Sequence, residues 1–176
     1  MQKYLLVIVL LLPAPLMAFE LFGVNINQIN RVDLRLAIRD SGAEVVREAG
    51  DDNWYDVYDM TSNFKQSKFL FVAYEKTTAT FAFAEYHLPY DYFRSMLLRL
   101  TLKYGKPRVR YGNFESENRH YWTVDGIKIE ITQNWNKNLT RLIYTQPEKL
   151  LPLQQAYRQE ELLKLSKLLN VDGSYY

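Results

Sequence analysis

The stretch Arg119-His120-Tyr121-Trp122-Thr123-Val124-Asp125-Gly126-Ile127-Lys128-Ile129-Glu130-Ile131-Thr132-Gln133 decides how this chain folds. Two runs rich in β-branched and aromatic residues flank the dipeptide Asp125-Gly126. Both central residues of a tight hairpin turn need positive φ, which Asp tolerates and Gly adopts freely. The stretch therefore reads as an antiparallel hairpin over 119–124 and 127–133. A chain built around such a hairpin is expected to be a sheet of sequential strands.

Working outward, strand text continues at 139–145 on one side and at 108–111 on the other. Further upstream, 69–75 and 80–88 form a second pair around Lys76-Thr77-Thr78. Here Phe69, Phe71, Phe81 and Phe83 recur at period two and are expected to share one face, the sheet side of the core. A third pair spans 44–49 and 54–60, turning at Gly50-Asp51-Asp52-Asn53. Residues 19–24 read as a short edge strand.

Helical text interrupts this pattern three times. Asn30 can cap a helix over 31–41, with Asp33 where a carboxylate meets free amides and the positive helix end. Leu34, Ala37 and Ile38 give its apolar stripe, and Gly42 stops it. Asp91 is expected to cap a second helix, whose Phe93, Met96, Leu97, Leu100 and Tyr104 fall at helical spacing before Gly105 and Pro107. A third runs from Pro152 to about Leu169, carrying Ala156, Leu162, Leu163, Leu165 and Leu169, and ends at Asn170 and Gly173. The expected fold is α+β: two helix-plus-four-strand antiparallel units, about 27–88 and 89–145, forming one extended sheet. The helices should pack on one face, followed by the C-terminal helix. That plan leaves the other face open to solvent or a partner.

The N-terminus carries a second message. Lys3 precedes the apolar run from Tyr4 to Leu12, then come Pro13, Pro15 and the small residue Ala18. This is the layout of a cleaved secretory signal, and the run is half of the roughly 20 residues needed to span a bilayer. Removing residues 1–18 of the 176 leaves 158, one ordinary domain over 19–176 with no stable membrane insertion. The chain has no cysteine, which excludes disulfides, a thiolate nucleophile, Cys-based metal sites and a lipid-modified cysteine. An exported domain without disulfides fits a bacterial periplasm or secretion from a bacterium better than an animal extracellular space. Charge is nearly balanced, with 22 Lys and Arg against 20 Asp and Glu and no run of five like charges, so nucleic acid is not an expected partner.

Three segments carry a family resemblance: Phe19-Glu20-Leu21-Phe22-Gly23-Val24, Phe81-Ala82-Phe83-Ala84-Glu85-Tyr86 and Lys103-Tyr104-Gly105-Lys106-Pro107. With Trp122 and the strands after it, they resemble a group of small exported proteobacterial proteins of unassigned function. As a series of helix-plus-meander units, the chain also resembles envelope-assembly and β-lactamase-inhibitor-protein modules. That resemblance implies a protein that works by binding other proteins.

Reactive chemistry finds little footing. Glu85 and His87 lie two apart on a strand and point to one face, so with His120 they could offer zinc or copper two imidazoles and a carboxylate. The plainer reading is a strand-end His87 and a separate His120. Asp51, Asp52, Asp56 and Asp59 invite calcium, but counting from Asp51 puts Asp56 at position six, where a calcium loop needs glycine. Ser62 falls at position twelve, where the loop needs glutamate. A solvated turn and strand edge is the better reading. No nucleophile elbow, P-loop or dinucleotide fingerprint occurs. Glu115 and Glu117 fall in a loop, and Asn138-Leu139-Thr140 matters only in a glycosylating host.

Aromatics give the positive hint, with 14 Tyr, 9 Phe and 3 Trp favouring both strands and contact surfaces. Trp54, Tyr58, Tyr74, Tyr86, Tyr121 and Trp122 are the candidate contact residues, the alternative being that they complete the core. The expectation is an exported, periplasmic, non-enzymatic envelope accessory protein that binds another envelope protein and needs no cofactor. The alternatives are an inhibitor of a secreted hydrolase, or a metal protein or enzyme centred on Glu85, His87 and His120.

Overall fold

A computed structural model describes residues 20–27, 29–48, 54–62, 68–114, 117–134 and 136–172. The leader-like segment 1–18, the turn 50–53 with Asp51 and Asp52, Glu115 and Gly173 lie outside the described residues. So do the side chains of Leu163, Leu165 and Leu169.

The chain is α+β, and its described residues form one large antiparallel sheet of eight strands and three α-helices. Strands β1 (Glu20–Leu21) and β2 (Val24–Asn25) form a separate two-stranded ribbon, not an edge of the main sheet. Its turn uses positive φ at Phe22 and Gly23, and Leu21 drops into the core. Helix α1 (Arg31–Asp40) follows. Then come β3 (Glu44–Arg47), β4 (Tyr55–Asp59), β5 (Phe69–Tyr74) and β6 (Phe81–Pro89). Helix α2 (Phe93–Tyr104) leads to β7 (Arg108–Arg110), β8 (Arg119–Val124), β9 (Ile127–Asn134) and β10 (Leu139–Thr145), and α3 (Pro147–Asp172) closes the chain. Strand order is β3-β4-β5-β6-β10-β9-β8-β7, so two sequential meanders meet at an antiparallel seam between β6 and β10.

Local chemistry explains the elements. The turn between β8 and β9 has φ of 49° at Asp125 and 79° at Gly126, the backbone that Asp-Gly supplies. Asn30 caps α1 through its side-chain oxygen, which accepts from the Asp33 backbone N–H at 3.0 Å. Asp91 does not cap α2. It sits in a 3-10 turn over Tyr90–Tyr92, and α2 starts after it without a side-chain cap. Helix α3 starts five residues before Pro152. Pro147 occupies its first position, where the missing N–H costs nothing, and Pro152 forfeits a single helical bond.

Helices α1 and α2 share one face of the sheet. Leu34, Ile38 and Leu100 join Leu70, Val72, Phe81, Ile129, Ile131 and Leu142 in the main core, and α2 presents the whole expected stripe to it. Helix α3 takes the opposite face, where Leu153 is buried with Ala73 and Ala82. The four phenylalanines therefore do not line one face. The ladder slips between Ala73 and Tyr74: Ala73 pairs with Phe83 but Tyr74 pairs with Phe81, leaving Ala82 as an extra bulged residue. The bulge reverses the alternation, sending Phe81 into the main core and Phe83 to the α3 side with Phe71 and Phe69.

One carboxylate of the acidic cluster is buried rather than solvated. Asp56 has no exposed surface and accepts a two-point bond from Arg35 of α1, with Nε and Nη2 both at 2.8 Å. Tyr58 Oη adds a bond to it at 3.2 Å. The pair fastens α1 to β4. Removing Arg35 leaves the buried Asp56 charge without its counter-ion, so Arg35→Ala is expected to destabilise the fold by about 3–5 kcal/mol in urea unfolding. A loss under about 1 kcal/mol would mean that the pair is no anchor.

Candidate functional site

On the α3 side, strand alternation places Phe83, Glu85 and His87 of β6 in one row, with Phe69 and Phe71 of β5 beside them. Across the seam, Arg141 of β10 pairs with His87. Its guanidinium turns to Glu85 and donates twice, Nε to Oε1 at 2.6 Å and Nη2 to Oε2 at 2.6 Å. His87 Nε2 lies 2.7 Å from Glu85 Oε1, and its ring packs on Phe71 with centroids 4.7 Å apart.

These three groups floor a cleft of about 360 Å³. Its walls are aromatic: Trp54, Tyr55, Phe71 and Phe83, with Gln154 contributed by α3. Trp54 meets Tyr55 edge to face at 5.1 Å and faces Tyr157 of α3 at 6.3 Å. Lys76 pairs with Glu160 and lies over the Tyr157 ring, pinning α3 as one side of the cleft.

Burial disfavours the charged Glu85, but the bonds from His87 and Arg141 and the guanidinium charge outweigh it. Its pKa falls from 4.5 to about 2. Arg141 is raised by the same bonds. At neutral pH the floor is thus a locked ion pair with both carboxylate oxygens engaged. Glu85 can orient a bound group, but with both oxygens engaged and its pKa lowered it is a poor proton acceptor.

The proposed metal triad does not come together. His120 of β8 pairs with Ile131, Ile131 with Leu142 and Leu142 with Tyr86, a row on the α2 side of the sheet. Glu85 and His87 point to the other side, with β9 and β10 intervening. His120 instead packs against Phe93 at 5.6 Å, and burial lowers its pKa. Among the described residues, no group of three or more His, Asp or Glu is placed to hold a metal ion.

The six candidate aromatics divide between the faces. Tyr58, Tyr74 and Trp122 are buried in the main core with Tyr86 packed against it, and Trp122 Nε1 donates to the Gly105 carbonyl at 2.7 Å. These four lie under the helices rather than forming a contact patch. Trp54 and Tyr121 lie on the α3 side, Trp54 in the cleft wall and Tyr121 beside Lys128. Sequence reasoning missed Tyr55, Phe71 and Phe83 as cleft residues, and missed Arg141 altogether. The period-two phenylalanines were the available signal for the walls. Nothing local marks Arg141, which lies 56 residues from its partner.

No family model matches the chain, and comparison with curated proteins finds no match. Among solved structures the chain is similar to YjgB of Bacillus subtilis, a DUF4309 family protein, at 19% identity and a TM-score of 0.47. The alignment covers 70% of this chain and 82% of that one. A likeness of this grade bears on neither ligand nor activity.

The lowered pKa of Glu85 makes its stabilisation complete above about pH 4.5 and lost as pH falls toward 2. Glu85→Gln should therefore cost up to about 3 kcal/mol at pH 7 and less than about 1 kcal/mol near pH 2.5. Urea unfolding at both pH values checks this. A gap that is the same at both would exclude the ionised floor.

Proposed function

We propose that the chain is an exported accessory protein that binds another macromolecule, an envelope protein, through the aromatic cleft on the α3 side. The observation that carries this reading is the combination of four aromatic walls with a floor already satisfied by its own hydrogen bonds. An aromatic or aliphatic anchor from a partner would bury large apolar area there, the arrangement that concentrates binding energy at protein interfaces. The engaged Glu85 favours recognition over proton transfer, so the chain is read as a binding protein and not an enzyme. No cofactor is required.

Export is supported by the order of Lys3, apolar run, prolines and Ala18, and a periplasmic setting by the lack of cysteine. No helix among the described residues is long and apolar enough to cross a membrane. Each four-strand meander is introduced by one helix, α1 or α2, which supports an ancient duplication of one unit. The resemblance to small exported proteobacterial proteins and to protein-binding helix-plus-meander modules points the same way. A secreted hydrolase is one partner of this kind, and the chain would then act as its inhibitor.

Affinity capture from envelope extract, with and without mild cross-linking, should recover a dominant protein partner. Phe71→Ala should weaken that capture about tenfold, the roughly 1.4 kcal/mol of a contributing interface side chain. Capture of no protein under either condition would overturn the reading. A panel of secreted lysozymes and proteases tests whether the partner is a hydrolase.

A further inference from the structure

The register of the sheet places a line of cationic and polar groups beside the aromatic cleft. His87 pairs with Arg141, Arg141 with Thr132, and Arg110 with Arg119. Because His120 pairs with Ile131, Arg119 faces Thr132. The line His87-Arg141-Thr132-Arg119-Arg110 thus runs straight across β6, β10, β9, β8 and β7. At about 4.8 Å per strand it spans roughly 19 Å. Its outer end lines a second cleft of about 430 Å³, which shares Arg141 with the first.

Among the described residues, the carboxylates along this line are already engaged. Glu85 holds Arg141 and His87. Glu130 accepts from Lys128 at 2.6 Å and only distantly from Arg119, at 3.5 Å. Glu117 accepts the backbone N–H groups of Asn113 and Phe114. Arg119 is therefore only partly neutralised, and exposed Arg110 makes no ion pair among the described residues. Glu117 keeps its negative charge while accepting those N–H groups. With Glu130 offset by Lys128, the described residues at the β7 end leave a surplus of one positive charge, and the apolar capacity sits at the β5 end.

We propose that this track binds an extended acidic segment of a protein partner, carboxylates over Arg110 and Arg119 and an aromatic side chain in the cleft beside Arg141. The inference rests on the macromolecule-binding reading above and names the chemistry of the partner. Arginine's planar fork matches a carboxylate in two-point geometry. A nucleic acid is a poorer fit, because the net formal charge is only +2 and Arg110 and Arg119 at one end make no continuous basic face for a phosphate backbone.

The test uses the purified protein and a fluorescein-labelled synthetic peptide with four Asp or Glu residues followed by a short spacer and one Trp. Fluorescence anisotropy should show saturable, salt-sensitive binding. Replacing the peptide's carboxylates by amides, or its Trp by Ala, should weaken binding at least about tenfold in each case. The double variant Arg110→Ala with Arg119→Ala should weaken the acidic peptide by a similar factor and leave the amide peptide unchanged. Both arginines are exposed, and an unshifted thermal transition shows that the variant is folded. Equal binding of acidic and amide peptides, no binding, or tighter binding of single-stranded DNA or phosphatidylglycerol vesicles would overturn the proposal. If the double variant still captures the same envelope protein as the parent, the acidic track falls while the macromolecule-binding reading stands.

Discussion

The seam between β6 and β10 is the constraint on which the rest of the molecule depends. Seven residue pairs, from Leu139 with Pro89 to Thr145 with Phe83, join two meanders that would otherwise be separate four-stranded sheets. Those pairs close a loop of some fifty residues, so their closure entropy must be met before the contacts across them form. Each meander, by contrast, forms from strands adjacent in sequence. The Glu85–Arg141 pair lies on this seam and adds a two-point charged bond to its backbone ladder. The same residues that floor the cleft therefore also fasten the two halves, and the cleft is built on the least local strand pairing of the described sheet.

The bulge at Ala82 decides what each face of the sheet can do. Without it, Phe81 and Phe83 would lie on one side, and either the main core would lose Phe81 or the cleft would lose Phe83. One extra residue, small enough to be buried against Leu153, resolves that conflict. Strands β5 and β6 thus serve a helix-covered core on one side and an aromatic cleft on the other. Asp56 shows the reverse case, a charged residue that alternation assigns to the core side. Its burial is tolerable because Arg35 of α1 arrives with a matching fork and Tyr58 supplies a further donor.

What could be read from the sequence follows the range of the interactions. Asp125-Gly126, the Asn30 cap and the α2 stripe are local signals, and each does its expected work in the structure. The α+β class with a large antiparallel sheet followed from them. The helix start at Pro147 was obscured because Pro152 looked like a beginning when it is only a tolerated interior residue. The faces were harder. Period two holds only between irregularities, and neither the bulge at Ala82 nor the side chosen by α3 has a local marker. The candidate site fared accordingly: the Glu85 and His87 pair was visible as an alternating strand motif. Arg141 and the cleft walls depend on strand order, which sequence spacing does not encode. His120 was grouped with them by residue type alone, and the sheet separates it.

The two faces also differ in how firmly they are covered. The α1 and α2 side has a broad continuous core, whereas the described side chains of α3 hold it through Leu153, Tyr157, an ion pair at Lys76 and a bond from Lys149 to Thr80. Burial of one leucine and one partly covered tyrosine contributes only about 3–5 kcal/mol before the entropy of ordering the helix is counted. Through its described side chains, helix α3 rests on a smaller patch than α1 and α2 do. It is also the element that supplies Gln154 and Tyr157 beside the aromatic cleft. A bound group touching both the sheet and α3 would extend that patch, so occupancy of the cleft and docking of the helix are thermodynamically coupled. Linkage then requires that docking of α3 strengthens binding by the same factor by which the bound group strengthens docking.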